Sequence, residues 1–186
     1  MAILSGVRVI EFEGLGPGPF CGMLLADLGA EVILIERPGS ASGPAAIFRR
    51  GKKSITLDLK KEGARQAALR LIERADALIE GLRPGVMERL GLGPDEARAI
   101  NKRIVYGRLT GWGQDGPLAP VAGHDLNYIG LSGAAWYAGR AGEAPFPPPT
   151  LVGDIGGGAL YLAIGILAGV LNARESGEGC VVDAAI

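Results

Sequence analysis

The sequence holds a single histidine, His124, in the run GWGQDGPLAPVAGHDLNYIG, after a stretch rich in glycine and proline and at the predicted start of a helix. An imidazole set at an exposed helix N-terminus suits proton transfer; a capping or hydrogen-bonded core histidine fits the same position. Asp154 stands among glycines in PPPTLVGDIGGGALYLAIG, immediately before the most apolar helix of the chain. A carboxylate there reads two ways. It caps the helix by accepting first-turn amide hydrogen bonds, or it is held in a largely apolar setting and serves as base or nucleophile. A third group is basic: Arg37, Arg49, Arg50, Lys52, Lys53, Lys60, Arg83 and Arg89 punctuate the loops between elements. Solvated surface charge is the plain reading. Several, however, follow predicted strand ends, where an open α/β sheet binds ligands, and the arginine fork matches phosphate.

Two other motifs imply less. The loop GLGPGP alternates Gly14, Gly16 and Gly18 and is not G-x-G-x-x-G. Pro17 and Pro19 remove amide donors, so a tight structural turn is expected rather than a nicotinamide site. Cys21 and Cys180 are far apart and in no metal-ligand spacing, which predicts two thiols in a reducing cytosol and no metal site.

The elements that must position these groups alternate. Val7 to Phe12 (VRVIEF) reads as a strand, Phe20 to Leu28 as a helix and Glu31 to Glu36 (EVILIE) as a second strand, a βαβ unit with a glycine loop. Further strands are predicted at Ser54 to Leu59, Ala77 to Glu80, Arg103 to Arg108 and Cys180 to Ala184. Helices are predicted at Glu62 to Arg74, Pro84 to Leu90, Asp95 to Asn101, Asp125 to Leu131 and Gly157 to Ala173. The fold class is therefore α/β, a Rossmann-like doubly wound and mostly parallel sheet with helices on both faces. Glycine and proline, 31 and 12 residues, gather at 14–19, 38–44, 111–120 and 139–158 as shaped loops.

The 186 residues suffice for one domain with a sizeable core. Lys and Arg number 19 against 20 acids, a net charge of −1, so no global field draws nucleic acid or an anionic membrane. The N-terminus lacks a basic region ahead of an apolar stretch, so no signal peptide is read and a cytoplasmic location is expected. The uncharged run from Gly156 to Leu171 includes a GxxxG pair, Gly165 and Gly169. It is shorter than the roughly 20 residues a bilayer needs, and a core helix whose glycines admit close neighbours is expected. The sequence stops at VVDAAI, inside an apolar strand, which suggests that the polypeptide continues or is one piece of something larger.

The segments LSGVRVIEF, the GPGP loop, ADLGAEVILIERP, EGLRPGVMERLGLG, TGWGQDGP, GHDLNY, VGDIGGG and GCVVDAA together resemble the signature blocks of the α-methylacyl-CoA racemases, within the class III CoA-transferase superfamily. They occur in that family's order and cover the whole chain. GHDLNY with VGDIGGG points to the racemase branch. The resemblance implies racemisation of a 2-methylacyl-CoA thioester by proton transfer through an enolate, with His124 and Asp154 as the acid–base pair. Arg37 would lie near the adenine and phosphates of CoA; Leu57, Asp58, Leu59 and Lys60, and also Gly81, Leu82 and Arg83, would line the nucleotide. Arg89 would contact the CoA moiety, and Gly123, Asp125, Leu126, Asn127 and Tyr128 would flank the thioester. Tyr128, Ile155 and Tyr161 would exclude water. No metal or redox cofactor is implied, since CoA is the carrier on the substrate. Residues 1–186 would form the N-terminal part of a CoA-binding large domain, with a small domain and a returning C-terminal segment outside this chain, and the full-length form would be an interlocked homodimer. Two alternatives stay open: a CoA-transferase with Asp154 as nucleophile through an acyl-aspartyl anhydride, and a non-catalytic CoA-binding fragment.

Overall fold

The computed structural model describes residues 2–40 and 44–186; part of the glycine- and proline-rich stretch at 38–44 lies outside them. The strands are β1 (Arg8–Phe12), β2 (Glu31–Glu36), β3 (Lys52–Thr56), β4 (Ala77–Glu80), β5 (Val105–Thr110) and β6 (Val181–Ala185). They form one sheet in the order β3-β2-β1-β4-β5-β6, and every neighbouring pair is parallel. This is the doubly wound order, which reverses between β1 and β4 and opens a crevice at the carboxyl ends of those strands.

The helices are α1 (Pro17–Asp27), α2 (Glu62–Ile72), α3 (Val86–Arg89), α4 (Pro94–Ile100), α5 (Asp125–Leu131) and α6 (Leu160–Ser176). Successive side chains of a strand point to opposite faces, and the core divides accordingly. Val9, Val32 and Ile79 face one cluster with Leu25 of α1 and Leu162 and Ile166 of α6. Ile10, Ile35 and Leu78 face the other, with Ile72 of α2, Met87 of α3 and Ala97 of α4. Coverage on both faces is why the central strands read as continuous apolar runs rather than as alternations.

Most boundaries shift by one to three residues from those expected, β5 to Val105–Thr110 and α1 to Pro17–Asp27 among them, and three of the differences bear on the site. Strand β3 starts at Lys52 and ends at Thr56, because its ladder follows Val32–Glu36 of β2; Leu57–Lys60 is thereby released into the loop beyond the strand end. Helix α3 starts only after Gly85, whose φ of +78° is left-handed. Gly157–Ala159, expected to open the last helix, instead close a π turn, Leu151–Ala159, ahead of α6. Thr150 precedes it at φ +66°, and the Ile155 N–H donates to the Thr150 carbonyl at 3.0 Å. Such i→i+5 turns are rare and are often found at functional sites.

Leu151–Ser176 is long and apolar enough to cross a membrane by length and composition. Its glycines lie against the sheet: a Cβ on Gly165 would stand 2.5 Å from Val182 Cγ1, and one on Gly169 2.8 Å from Val105 Cγ1. The opposite side leaves Tyr161, Ile164 and Leu171 exposed.

Candidate active site

A cleft of about 500 Å³ opens at the carboxyl ends of β1, β4 and β5, where the strand order reverses. Its walls are the Gly14–Gly16 loop after β1 with Pro17–Pro19 at the start of α1, the Gly81–Pro84 loop after β4, and Thr110–Trp112 at the end of β5. His124, Tyr128 and Asp154 complete it, so two groups far apart in sequence share one cavity.

His124 is the extended residue that precedes α5 (φ −136°, ψ 168°). Its N–H donates to Asn127 Oδ1 at 2.9 Å, and the Asn127 N–H returns a bond to the His124 carbonyl at 2.8 Å. That reciprocal cap, with Asn127 spent on it, fixes where the histidine leaves the helix. Tyr128 packs edge-on against Trp112, with ring centroids 4.7 Å apart. It fits because Gly123 has no side chain: a Cβ there would come within 2.6 Å of the Tyr128 ring. Burial, and then the charge of Asp154, push the Tyr128 phenol up.

Asp154 lies inside the π turn and makes no side-chain cap for that turn or for α6, which removes the capping reading. Its N–H donates to Asp125 Oδ1 at 2.7 Å. Its Oδ2 sits 3.6 Å from where a Cβ on Gly16 would be, so the glycine loop leaves room for the carboxylate. Burial and the nearby Asp125 charge raise the Asp154 carboxyl above the ordinary range, opposed by His124. Asp125 itself is buried, faces the Asp154 amide and lines no part of the cleft. Leu126 is exposed outside it, Tyr161 is 66% exposed, and Ile155 packs into the core cluster instead.

A second cleft of about 490 Å³ lies beside the first, and Phe12 and Leu82 line both. Leu57, Leu59 and Leu82 supply apolar surface, while Arg37, Asp58 and Lys60 supply charge. Arg37 donates to Glu13 Oε2 through its backbone N–H (2.9 Å) and its Nε (3.2 Å), and the Ser40 hydroxyl donates to Glu13 Oε1. Burial raises the Glu13 carboxyl, but the Ser40 hydrogen bond and then those of Arg37 hold it below its usual value. Gly81, Leu82 and Arg83 reach the first cleft; Arg89 is exposed on α3 and lines neither.

The sequence reading missed the supports beneath these loops. Glu80 accepts the Leu82 N–H at 2.8 Å and pairs with Arg108 Nε at 3.0 Å, and Arg108 also reaches Glu88 at 2.8 Å. The buried Glu80–Arg108 bridge thus holds Leu82, one of the two residues common to both clefts. Lys52 pairs with Glu11 at 2.5 Å and donates to the Pro19 carbonyl at 2.9 Å, tying down the first turn of α1 just after the glycine loop. The available signal was a glutamate inside each apolar strand run, since a buried charge requires a partner. Burial pushes the Cys21 thiol up to about 12, with the Glu11 charge adding to it. Among the described residues no group of three or more His, Cys, Asp or Glu side chains stands where it would hold a metal ion.

Residues 4–186 match the family model described as CoA-transferase family III. The α-methylacyl-CoA racemase of Mus musculus is 47% identical over 184 residues, 99% of this chain and 48% of the relative. A Mycobacterium tuberculosis protein named "probable fatty acyl-CoA transferase" is 38% identical over 199 residues, 98% of this chain and 50% of the relative. The crystal structure of a CaiB/BaiF family protein from Brucella suis superposes with a TM-score of 0.90 at 33% identity, covering 98% of this chain and 52% of that one. The chain thus spans about half the length of the curated relatives it matches.

Proposed function

The chain belongs to CoA-transferase family III, and from that premise we propose that it epimerises 2-methylacyl-CoA thioesters by removing the α-proton on one face and returning one on the other. The observation that carries this reading is the presence of His124 and Asp154 on one cleft at the switch point of the sheet. A single base cannot easily serve both faces of a planar enolate. With one group on each side, each acts as base in one direction and as acid in the reverse. A carboxyl raised by burial suits this alternation, because the shift favours the protonated form that the acid role requires. The 47% identity to a racemase supports the isomerase over the transferase.

The acyl thioester occupies the first cleft and the nucleotide of CoA the second, with Arg37 and Lys60 toward its phosphates and Arg89 toward the CoA moiety. The shared Phe12 and Leu82 support one ligand bridging both clefts. Backbone N–H groups of the glycine loop stabilise the enolate oxygen. Pro17 and Pro19 lack that donor, which leaves the amides of Gly14, Leu15, Gly16 and Gly18. No metal or redox group enters this chemistry; CoA is the substrate's carrier.

The test is exchange of the substrate α-proton. In D₂O, an (S)-2-methylacyl-CoA loses its Cα–H signal and its chirality together, and neither change occurs with His124→Ala. Retention of the signal contradicts the reading.

The family description and the M. tuberculosis relative favour a second reading, CoA transfer. There an Asp154 oxygen attacks the thioester carbonyl, the C–S bond breaks and CoA leaves as thiolate, giving a mixed anhydride. Hydroxylamine trapping of that anhydride, read as a mass change on the Asp154 peptide, would identify it.

A further inference from the structure

We propose that Asp125 is a positioning residue for Asp154, holding its backbone and placing a second buried negative charge beside its carboxylate. The proposal rests on the reading of Asp154 as an acid–base group.

Asp125 opens α5, yet it is 4% exposed and its side chain turns away from solvent. Its side chain is not spent on its own helix, whose Asn127 and Tyr128 amides go to the His124 carbonyl. Its Oδ1 accepts the Asp154 N–H at 2.7 Å, and its Oδ2 is buried without a hydrogen-bond partner among the described residues. A buried carboxylate left half-satisfied is costly, so its retention here needs a reason.

The surroundings are shaped to this bond. A Cβ on Gly153 would lie 2.6 Å from Asp125 Oδ1 and 3.0 Å from Ile129 Cγ2, so the residue before Asp154 has no room for a side chain. The bond also joins two elements. Asp125 follows His124 directly, so one hydrogen bond ties the histidine-bearing cap of α5 to the π turn that carries Asp154.

The titratable groups facing Asp154 are His124, Asp125 and Tyr128, all from α5 and its cap. The loop before α1 presents Gly16, and the chain after β6 meets the π turn with Ile186. Asp125 is the like charge among them, and a neighbouring carboxylate disfavours ionisation of its partner.

The test is a ¹³C NMR titration of the Asp154 carboxyl carbon in the whole chain, assigned by its loss in Asp154→Asn. Asp125→Asn keeps an acceptor for the Asp154 N–H and removes the charge. The expected result is an Asp154 midpoint displaced to lower pH; an unchanged or raised midpoint overturns the proposal. The acid limb of α-proton exchange moves in the same direction, whereas a role confined to folding lowers the amplitude and leaves the limb in place. Asp125→Ala also loses the bond, and kcat falls on the order of 10²-fold with KM little changed. Should Asp125→Asn not fold, the unaltered protein still decides. Slow exchange of the Asp154 amide proton, with scalar coupling to the Asp125 carboxyl carbon, is expected, and rapid exchange without coupling overturns the tie. If the wild type exchanges no α-proton, the racemase reading fails while the titration still judges this one.

Discussion

Lys52 Nζ lies 2.5 Å from Glu11 Oε2, each side chain is 1% exposed, and the same ammonium donates to the carbonyl of Pro19 at 2.9 Å. The pair spans two strands that are not neighbours, since β2 runs between β1 and β3. It therefore braces the sheet while holding the first turn of α1, which forms part of one wall of the first cleft.

Removing one member of such a pair leaves the other charge buried alone. Lys52→Met is expected to cost about 3–5 kcal/mol of stability, read from urea unfolding. Glu11→Leu combined with Lys52→Met should recover most of that loss, because no uncompensated charge remains. A single variant as stable as the wild type would show that the pair contributes little.

The same pair gives stability an unusual pH dependence. Burial raises the Glu11 carboxyl from 4.5 to about 7 despite the Lys52 charge opposing it. Between those values the folded state binds more protons than the unfolded one, so this contribution is fully present below about 4.5 and is lost as pH rises through about 7. Unfolding midpoints compared across that window should fall more steeply for the wild type than for Glu11→Gln. Parallel profiles would count against the burial of an ionising Glu11.

Helix α6 is expected to reject a methyl group where it meets the sheet. In an open helix Gly→Ala gains about 1 kcal/mol. At Gly165 the new Cβ would stand 2.5 Å from Val182 Cγ1, and overpacking costs about 1–3 kcal/mol. Gly165→Ala should therefore lower Tm, and Val182→Ala in the same chain should restore part of it. A higher Tm for the single variant would mean that α6 is not seated on β6 as described.

Arg89 is exposed on α3 and outside both clefts, so its proposed contact with CoA is by surface charge. Arg89→Ala should weaken CoA binding by no more than about tenfold, with the loss shrinking at high salt. Calorimetric affinity that does not change would remove it from the binding surface.

The sheet was legible because its strands are short apolar runs bounded by glycine and proline, and EVILIE coincides with β2 at both ends. The cap of α5 was legible for a similarly local reason, the GHDLNY segment at a loop–helix junction. The π turn was not. Its width accompanies a bond from Asp154 to Asp125, 29 residues earlier, and no local periodicity encodes a partner on another element. Leu57–Leu59 read as the tail of a strand, but pairing with β2 stops at Thr56, and that release carries them, with Lys60, to the second cleft. The Glu11–Lys52 and Glu80–Arg108 bridges join residues 41 and 28 positions apart, which strand patterns alone do not match up.

The two-base account is tested most directly by offering each enantiomer of a 2-methylacyl-CoA separately, in D₂O, to the wild type, His124→Ala and Asp154→Ala. The wild type should wash deuterium into both enantiomers while racemising them. Each variant should lose racemisation, by the 10²–10⁴-fold typical of a missing acid–base group, yet retain exchange with one enantiomer only, the opposite one in each case. Equal loss of exchange with both enantiomers in either variant, or racemisation that survives both substitutions, would contradict the placement of His124 and Asp154 on opposite faces of the substrate.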